Sequence, residues 1–244
     1  MRLVYGLNPV RELIRARPRD VSVVYVADAA AARELHALTK DRAIALEERT
    51  RRELDALAGA DARHQGVIAV AGEYAYRDID DVLDATTEPP LVVVLDGVQD
   101  PRNLGAIVRS AHVLGAHAVV LAKDRAAPVT PVTVKASAGA TEHTPICRVT
   151  NLVRAIEALK ERGVWTVGAV VDRGKPPAAL DLKGPIAFVL GAEGKGLRAL
   201  VERACDHRAE IPMSGRVASL NVSVAAGILL YEARRQRMAS ASAR

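Results

Sequence analysis

The strongest constraint on this chain is a change of rhythm at residue 91. From there on, short runs of uninterrupted apolar residues alternate with segments of helical period. The runs are "LVVVLDGV" (91–98), "HAVVLA" (117–122), "TPICRV" (144–149), "VWTVGAVV" (164–171) and "PIAFVLG" (185–191). A strand that is apolar on both faces must be covered on both faces, as in parallel sheets flanked by helices. Between the runs lie a helix at about 103–115 and "NLVRAIEALKERG" (151–163), with Asn151 as N-cap and Gly163 as stop. "LRALVERA" (197–204) predicts another helix, "AEIPM" (209–213) a last short strand, and the residues from Ser219 onward a last helix. Strands alternating with helices predict an α/β fold around a mostly parallel sheet.

Before residue 91 the pattern is that of a smaller α/β unit. "VSVVYVAD" (21–28) and "GVIAVAG" (66–72) read as strands. "AAARELHALTKDRA" (30–43) and "RRELDALAG" (51–59) read as helices, the second stopped by Gly59. The acidic stretch "YRDIDDVLDATTEPP" (76–90) ends in two prolines and reads as a linker, with or without a docking helix. The expected division is 1–75, a linker at 76–90, and 91–244. The tail "MASASAR" (238–244) is expected to fray.

Charge is divided the same way. Residues 1–90 hold 13 Lys+Arg against 16 Asp+Glu; of the chain totals of 34 and 29, residues 91–244 therefore hold 21 and 13, a balance of +8. A basic second half suits a polyanionic partner, although a solvated surface gives the same count. Two cysteines, Cys147 and Cys205, without CxxC spacing, give no metal signature and fit a reducing compartment. The N-terminus lacks the apolar stretch of a signal peptide, and no apolar run approaches the roughly 18 residues of a membrane span. The expectation is a cytoplasmic protein without a membrane partner.

Open α/β sheets place ligands at the carboxyl ends of their strands, and three loops there carry chemistry. In "LDGVQDPRNLGAIVRSAHVLGA" (95–116), Leu104, Ile107, Val108, Ala111 and Leu114 form one helical stripe. Arg109 falls on the opposite face, with Gly105 and His112 beside it. An arginine there is ordinarily solvated, but a glycine one turn away allows a backbone or a ligand to approach. "LGAEGKGL" (190–197) sets Glu193 among three glycines and matches neither GxxxxGK[ST] nor GxGxxG. In "IPMSGRVASLNVSVAAGILLYEA" (211–233), Ser214, Ser219, Asn221 and Ser223 adjoin a run apolar on nearly every side. That run predicts a buried helix. One polar residue suffices to cap it, so the others need partners at a buried edge or line a site. A fourth piece, "VKASAGATEH" (134–143), is rich in small residues, suiting close packing or a narrow wall.

Together these pieces resemble the motifs of the SpoU/TrmH branch of the SPOUT RNA methyltransferases. "DGVQDPRNLGAIVRSAHVLGA", "KASAGATEH", "FVLGAEGKGL" and "IPMSGRVASLNVSVAAGILLYEA" stand in the family's order across most of 91–235. "YGLNPVRELI" and "RHQGVIA" resemble the small L30e-like substrate-binding domain of RlmB-type members, which methylate a guanosine ribose 2′-OH in 23S ribosomal RNA. The resemblance implies a trefoil knot near the C-terminus, S-adenosylmethionine as methyl donor, and a homodimer whose two subunits meet at the site. It assigns Asn103, Arg109, Glu193, Ser219 and Asn221 to the catalytic site. It gives the donor site to Gly191, Ile211, Met213, Ser219 and Leu220.

The same family includes enzymes acting on transfer RNA, and a silent RNA-binding or ribosome-assembly protein would share the fold. A nucleotide-dependent dehydrogenase is disfavoured by the missing GxGxxG. A charged guanidinium has no acceptor, so the family's arginine, here Arg109, is expected to grip a phosphate and steady the developing alkoxide rather than take its proton. Glu193 is expected to orient that arginine or offset its charge. Aromatic residues are scarce, so RNA recognition is expected through shape and phosphates, not rows of stacked rings. Arg11, Arg15, Arg17 and Arg19 form a basic cluster that reads either as an RNA face or as a solvated helix end.

Overall fold

The computed structural model describes residues 1–59 and 62–242. Among them the chain forms a four-stranded and a six-stranded sheet. The first contains β1 (Arg2–Tyr5), β2 (Val21–Val26), β3 (Ala45–Glu48) and β4 (Val67–Ala71) in the order β1-β4-β2-β3. β4 runs antiparallel to both its neighbours, whereas β2 and β3 are parallel. Helices α1 (Leu7–Ala16) and α2 (Ala29–Lys40) share a core with this sheet through Leu13, Ile14, Val24, Leu35 and Val67. α3 (Arg51–Ala58) places Leu54 against Tyr5 and Ile68. Its start is a capping box between Thr50 and Glu53, and it stops at Gly59 with φ 90°.

The second sheet is parallel throughout. It comprises β5 (Leu91–Asp96), β6 (Ala118–Ala122), β7 (Ile146–Val149), β8 (Trp165–Val170), β9 (Ile186–Gly191) and β10 (His207–Glu210), in the order β10-β8-β9-β5-β6-β7. Every residue of β5 is buried, and alternate side chains enter opposite cores. Val93, Leu95 and Phe188 pack with Leu104 and Ile107 of α5 (Pro101–Val113) and with Leu229 and Leu230 of α9 (Val222–Ser242). Val92, Val94 and Val189 face Val82 and Leu83 of α4 (Ile79–Asp84), Ile156 of α7 (Leu152–Glu161) and Val201 of α8 (Ala199–Ala204). No helix among the described residues is long and apolar enough to cross a membrane.

α6 (Pro131–Ala136) and the 3-10 turn Ala140–Glu142 carry the small-residue stretch. They pack between α5 and the first sheet. A Cβ on Gly105 would lie 2.5 Å from the Ala136 Cβ and 2.6 Å from the Thr133 carbonyl oxygen. Gly105 therefore serves helix packing, not the approach of a ligand. On the other side, Arg2 donates to both carboxylate oxygens of buried Glu142, at 2.9 and 2.8 Å, and Arg17 stands 3.8 Å away. Both guanidinia lie 5.2 Å from the Tyr74 ring centre, whose hydroxyl donates to the Thr141 carbonyl at 2.9 Å. Burial pushes the Tyr74 phenol well above its usual pKa.

Several expectations change. Arg11 and Arg15 are paired with Glu34 and Glu12, and Arg17 is drawn to Glu142, so three of the four clustered arginines are engaged within the chain. The helix expected at 103–115 starts at Pro101, because Asp100 accepts from the Arg102 N–H and proline suits the first turn. The last strand ends at Glu210, before Ile211–Met213, since Pro212 has no N–H to extend the ladder. α9 runs through most of the tail expected to fray; residues 243 and 244 lie outside the described residues. Nor is α9 buried all round: Val224, Ile228 and Tyr231 are 49%, 37% and 61% exposed.

Removing one partner of the buried Arg2–Glu142 pair leaves the guanidinia without their counter-charge. Glu142→Ala is expected to lower the stability of the full chain by about 3 kcal/mol, read from denaturant unfolding; a change below about 0.5 kcal/mol would mean that the pair is dispensable.

Candidate active site

At the carboxyl edge of the second sheet, β8, β9 and β10 end around a cavity of about 670 Å³. Its walls are the turn after β9, the segment from Ile211 to Leu220, and the first turn of α9.

The turn after β9 is shaped by its glycines. A Cβ on Gly191 would lie 2.0 Å from the Gly196 carbonyl carbon, so only glycine allows the chain to fold back there. Gly194 and Gly196 have φ of 76° and 64°, and the Gly196 N–H donates to the Ala192 carbonyl at 2.9 Å. The far end of the turn is held by Asp96. Its carboxylate accepts from the Arg198 backbone N–H at 2.9 Å and from Arg198 Nε at 2.6 Å. Asp96 is buried at the end of β5 and is the register partner of Gly191. One residue thus meets both ends of the loop, its backbone in register with Gly191 and its side chain on Arg198, and residues 190–197 of that loop line the cavity. The backbones of two other segments meet nearby. Lys175 N–H donates to the Arg208 carbonyl, Glu210 N–H donates to the Lys175 carbonyl, and a Cβ on Gly174 would lie 2.6 Å from the Glu210 nitrogen.

A polar cluster stands on this loop. The Asn103 amide donates to Glu193 Oε2 at 3.4 Å; that of Asn221 donates to Asn103 Oδ1 at 3.1 Å and to Glu193 Oε2 at 3.5 Å. Asn221 Oδ1 accepts from the Ser223 N–H at 2.9 Å and its hydroxyl at 2.6 Å, capping α9. Asn103 is brought there by the first turn of α5 and Glu193 by the glycine loop. Ser219 lines the cavity without a hydrogen bond among the described residues, and the segment 212–220 is exposed rather than buried. The serines beside the apolar run therefore divide: Ser223 joins the cap, Ser219 faces the cavity, and Ser214 is exposed.

All five positions expected at a donor site, Gly191, Ile211, Met213, Ser219 and Leu220, line this one cavity, and so does Glu193. Arg109 stands apart. It lies six residues beyond Asn103 on α5, roughly 9 Å along the axis and two thirds of a turn round it. It is exposed and makes no hydrogen bond or ion pair with any described residue. The expectation that Glu193 orients Arg109 is thus not met within one chain; Glu193 meets two amides instead. Asp96 was not singled out in the sequence, although an acid closing an otherwise wholly apolar strand is a legible signal of a buried, partnered carboxylate. Burial pushes both cysteine thiols up to about 12, which leaves neither as a ready thiolate.

Comparison with known proteins decides the lineage. The family model described as "SpoU rRNA Methylase family" matches residues 90–231, and "RNA 2'-O ribose methyltransferase substrate binding" matches residues 3–77. The chain belongs to the SpoU rRNA methylase family. It is 44% identical to the 23S rRNA (guanosine-2'-O-)-methyltransferase RlmB of Coxiella burnetii, over 98% of this chain and 97% of that one. It is 40% identical to the protein of that name in Pseudomonas putida, over 96% of each. The crystal structure of the SpoU methyltransferase AviRb from Streptomyces viridochromogenes with AdoMet superposes with a TM-score of 0.80, at 30% identity, over 97% of this chain and 90% of that one. In this SpoU chain the methylase match takes in the whole six-stranded sheet, and the substrate-binding match all of the four-stranded one but Arg2.

If Asp96 holds the loop as described, Asp96→Ala frees the Arg198 amide. Hydrogen exchange across 192–198 is expected to rise at least tenfold while β5 and β6 keep their protection. Unchanged exchange at Arg198 would show that the loop closes without the carboxylate.

Proposed function

We propose that this SpoU protein transfers the methyl group of S-adenosylmethionine to the ribose 2′-oxygen of a guanosine in 23S ribosomal RNA. The observation that carries the reading is that Glu193 lines the cavity and also holds the amides of Asn103 and Asn221. A small-molecule site and a polar cluster thus share one side chain. The relatives that carry this activity in their names match nearly the whole chain, both sheets included.

The cavity suits the donor. At about 670 Å³ it falls within the ordinary range for cofactor sites, with apolar walls from Leu190, Ile211 and Leu220 and main-chain polar groups of the glycine loop. Gly191, Ile211, Met213, Ser219 and Leu220 would hold it. When bound, the donor would supply an electrophilic methyl, its sulfur leaving as a neutral thioether as the 2′-oxygen takes the methyl and the hydroxyl proton passes to water. The protein's part is placement, which is worth several kcal/mol in such a transfer. Glu193 fixes Asn103 and Asn221 at the cavity, and Ser219 offers a free hydroxyl beside them. Arg109 grips a phosphate next to the target and offsets negative charge growing on the 2′-oxygen.

Because Arg109 does not reach the cluster of its own chain, we assign it to the cluster of a second copy. α9 packs along α5 and exposes Val224, Ile228 and Tyr231 at helical spacing. The stripe lies on the helix that packs against α5, which carries exposed Arg109, and a two-fold pairing of α5 and α9 would cover it. We read the crossings at Gly174 and Gly191 as part of the family's trefoil knot. We also divide the chain into an L30e-like RNA-binding unit (1–75), a connecting segment (76–90) and the catalytic unit (91–244). We place the protein in the cytoplasm with its ribosomal substrate.

Labelled donor is expected to mark unmodified 23S ribosomal RNA at one alkali-resistant ribose and to leave unmodified transfer RNA unmarked. Label on transfer RNA alone would keep the chemistry and overturn the substrate. Arg109→Ala is expected to lose nearly all turnover while calorimetry shows donor still bound, and Arg109→Lys to recover only part of it, lacking the planar fork. Turnover unaffected by Arg109→Ala would remove Arg109 from the mechanism. Ile228→Asp is expected to shift the protein toward monomer in light scattering and to lower turnover with it; a dimer unaffected by that charge would rule out the α9 stripe as the interface.

A further inference from the structure

A second cavity opens at the same edge of the six-stranded sheet. Its volume is about 570 Å³, and it lies at the ends of β6 and β7. The loop after β9 forms a wall for both: residues 190–197 line the first cavity, and Arg198 to Val201 line the second. Two arginines face this space. Arg125 stands in the turn after β6 with φ of 60°, a left-handed backbone that glycine or asparagine occupies more easily. Its side chain is exposed and forms no hydrogen bond or ion pair with any described residue. Arg198 is tied to Asp96 through Nε, and its two terminal nitrogens have no partner among the described residues. Asp124 is the carboxylate in the lining, so the lining side chains carry net positive charge. Leu152 and Val201 are buried beneath it, and Leu200 is 66% exposed at its edge.

A guanidinium with two free terminal nitrogens matches a phosphate in fork geometry, and an exposed leucine gives a base a flat apolar neighbour. A left-handed backbone at an arginine is a local cost, and no hydrogen bond or ion pair of its side chain among the described residues accounts for it. We propose that the second cavity is a subsite for the RNA strand, in which Arg125 and Arg198 hold a backbone phosphate of a nucleotide flanking the one to be methylated. This rests on the reading of the substrate as RNA and adds a place where the strand is held apart from the donor cavity. Arg198 joins the two sites, because the residue that meets the phosphate is also the one whose backbone closes the donor loop.

The test compares the full-length protein with Arg125→Asn and Arg125→Lys, using an unmodified 23S ribosomal RNA transcript as probe across a series of salt concentrations. Asparagine accepts the positive φ, so Arg125→Asn is expected to fold, which its unfolding midpoint and calorimetric donor affinity check. Arg125→Asn is expected to bind the transcript about three- to tenfold more weakly at low salt, with a log–log salt slope shallower by about 0.7–0.9, the mark of one lost phosphate contact. Arg125→Lys is expected to keep that slope. Affinity and slope equal to the parent's in Arg125→Asn would overturn the proposal. So would an equal loss of slope in Arg125→Lys, because charge would then not be what binds. Methyl transfer by the parent protein to the same transcript is scored separately. Its absence would overturn the functional reading, and the salt comparison would still decide the subsite.

Discussion

The functional end of this molecule depends on one buried carboxylate. Asp96 ends a strand whose other five residues are apolar, and its side chain is almost fully withdrawn from water. Such a group costs several kcal/mol to bury unless its oxygens are occupied. Both are: one accepts from the Arg198 main chain, the other from that residue's guanidinium. The satisfaction of the charge is therefore also the closure of the loop. A neutral residue at 96 would leave the loop's return to the sheet resting on glycine conformations that are equally free to adopt others. Glu193 then inherits its position from a loop with both ends fixed, and through Glu193 so do the amides of Asn103 and Asn221.

The face of α5 turned to α6 depends on packing instead of charge. Gly105 lets α6 approach so closely that the stretch from Val134 to His143 becomes a plate between the two sheets. One side of the plate takes α5. The other meets Arg2, Arg17 and Glu12 of the N-terminal unit, through Glu142 and His143. The helix bearing Asn103 and Arg109 is thus tied to the donor loop at its start and packed on α6 and the 3-10 turn, which in turn meet the N-terminal unit. The small residues that read ambiguously as packing or as a site wall serve the first purpose, with their polar ends spent on the link between the units.

What was legible in the sequence follows from which forces are local. The six-stranded sheet announced itself because strands buried on both faces leave no choice of residue, and the caps at Asn151 and Gly163 lie within a few residues of what they terminate. β3 did not: Ala-Leu-Glu-Glu is an exposed edge that forms because β2 lies beside it, not because of its own preference. The positions expected at the donor site converge because the motif order already encoded three neighbouring strand ends. Asp96 escaped notice since its partner lies 102 residues away, and spacing rules see only near neighbours. The burial expected of α9 failed for a related reason. Composition records that a face is apolar, but not whether the same chain covers it.

That uncovered face and the solitary Arg109 are two aspects of one geometry. On an α-helix, a residue that faces the loop at the first turn and another six positions later cannot share a face. α5 therefore presents Asn103 and Arg109 on different faces. In the proposed dimer it serves two sites, Asn103 that of its own chain and Arg109 that of a neighbour lying against α5 and α9. Val224, Ile228 and Tyr231 stand unburied on α9, the helix that packs against α5. An arginine with no hydrogen bond or ion pair among the described residues is disposed to serve such a neighbour, because no such pair has to be broken for it to meet a phosphate there. In the proposed dimer one second copy would both cover the apolar stripe and meet the unpaired charge, and neither feature alone would specify where that copy sits.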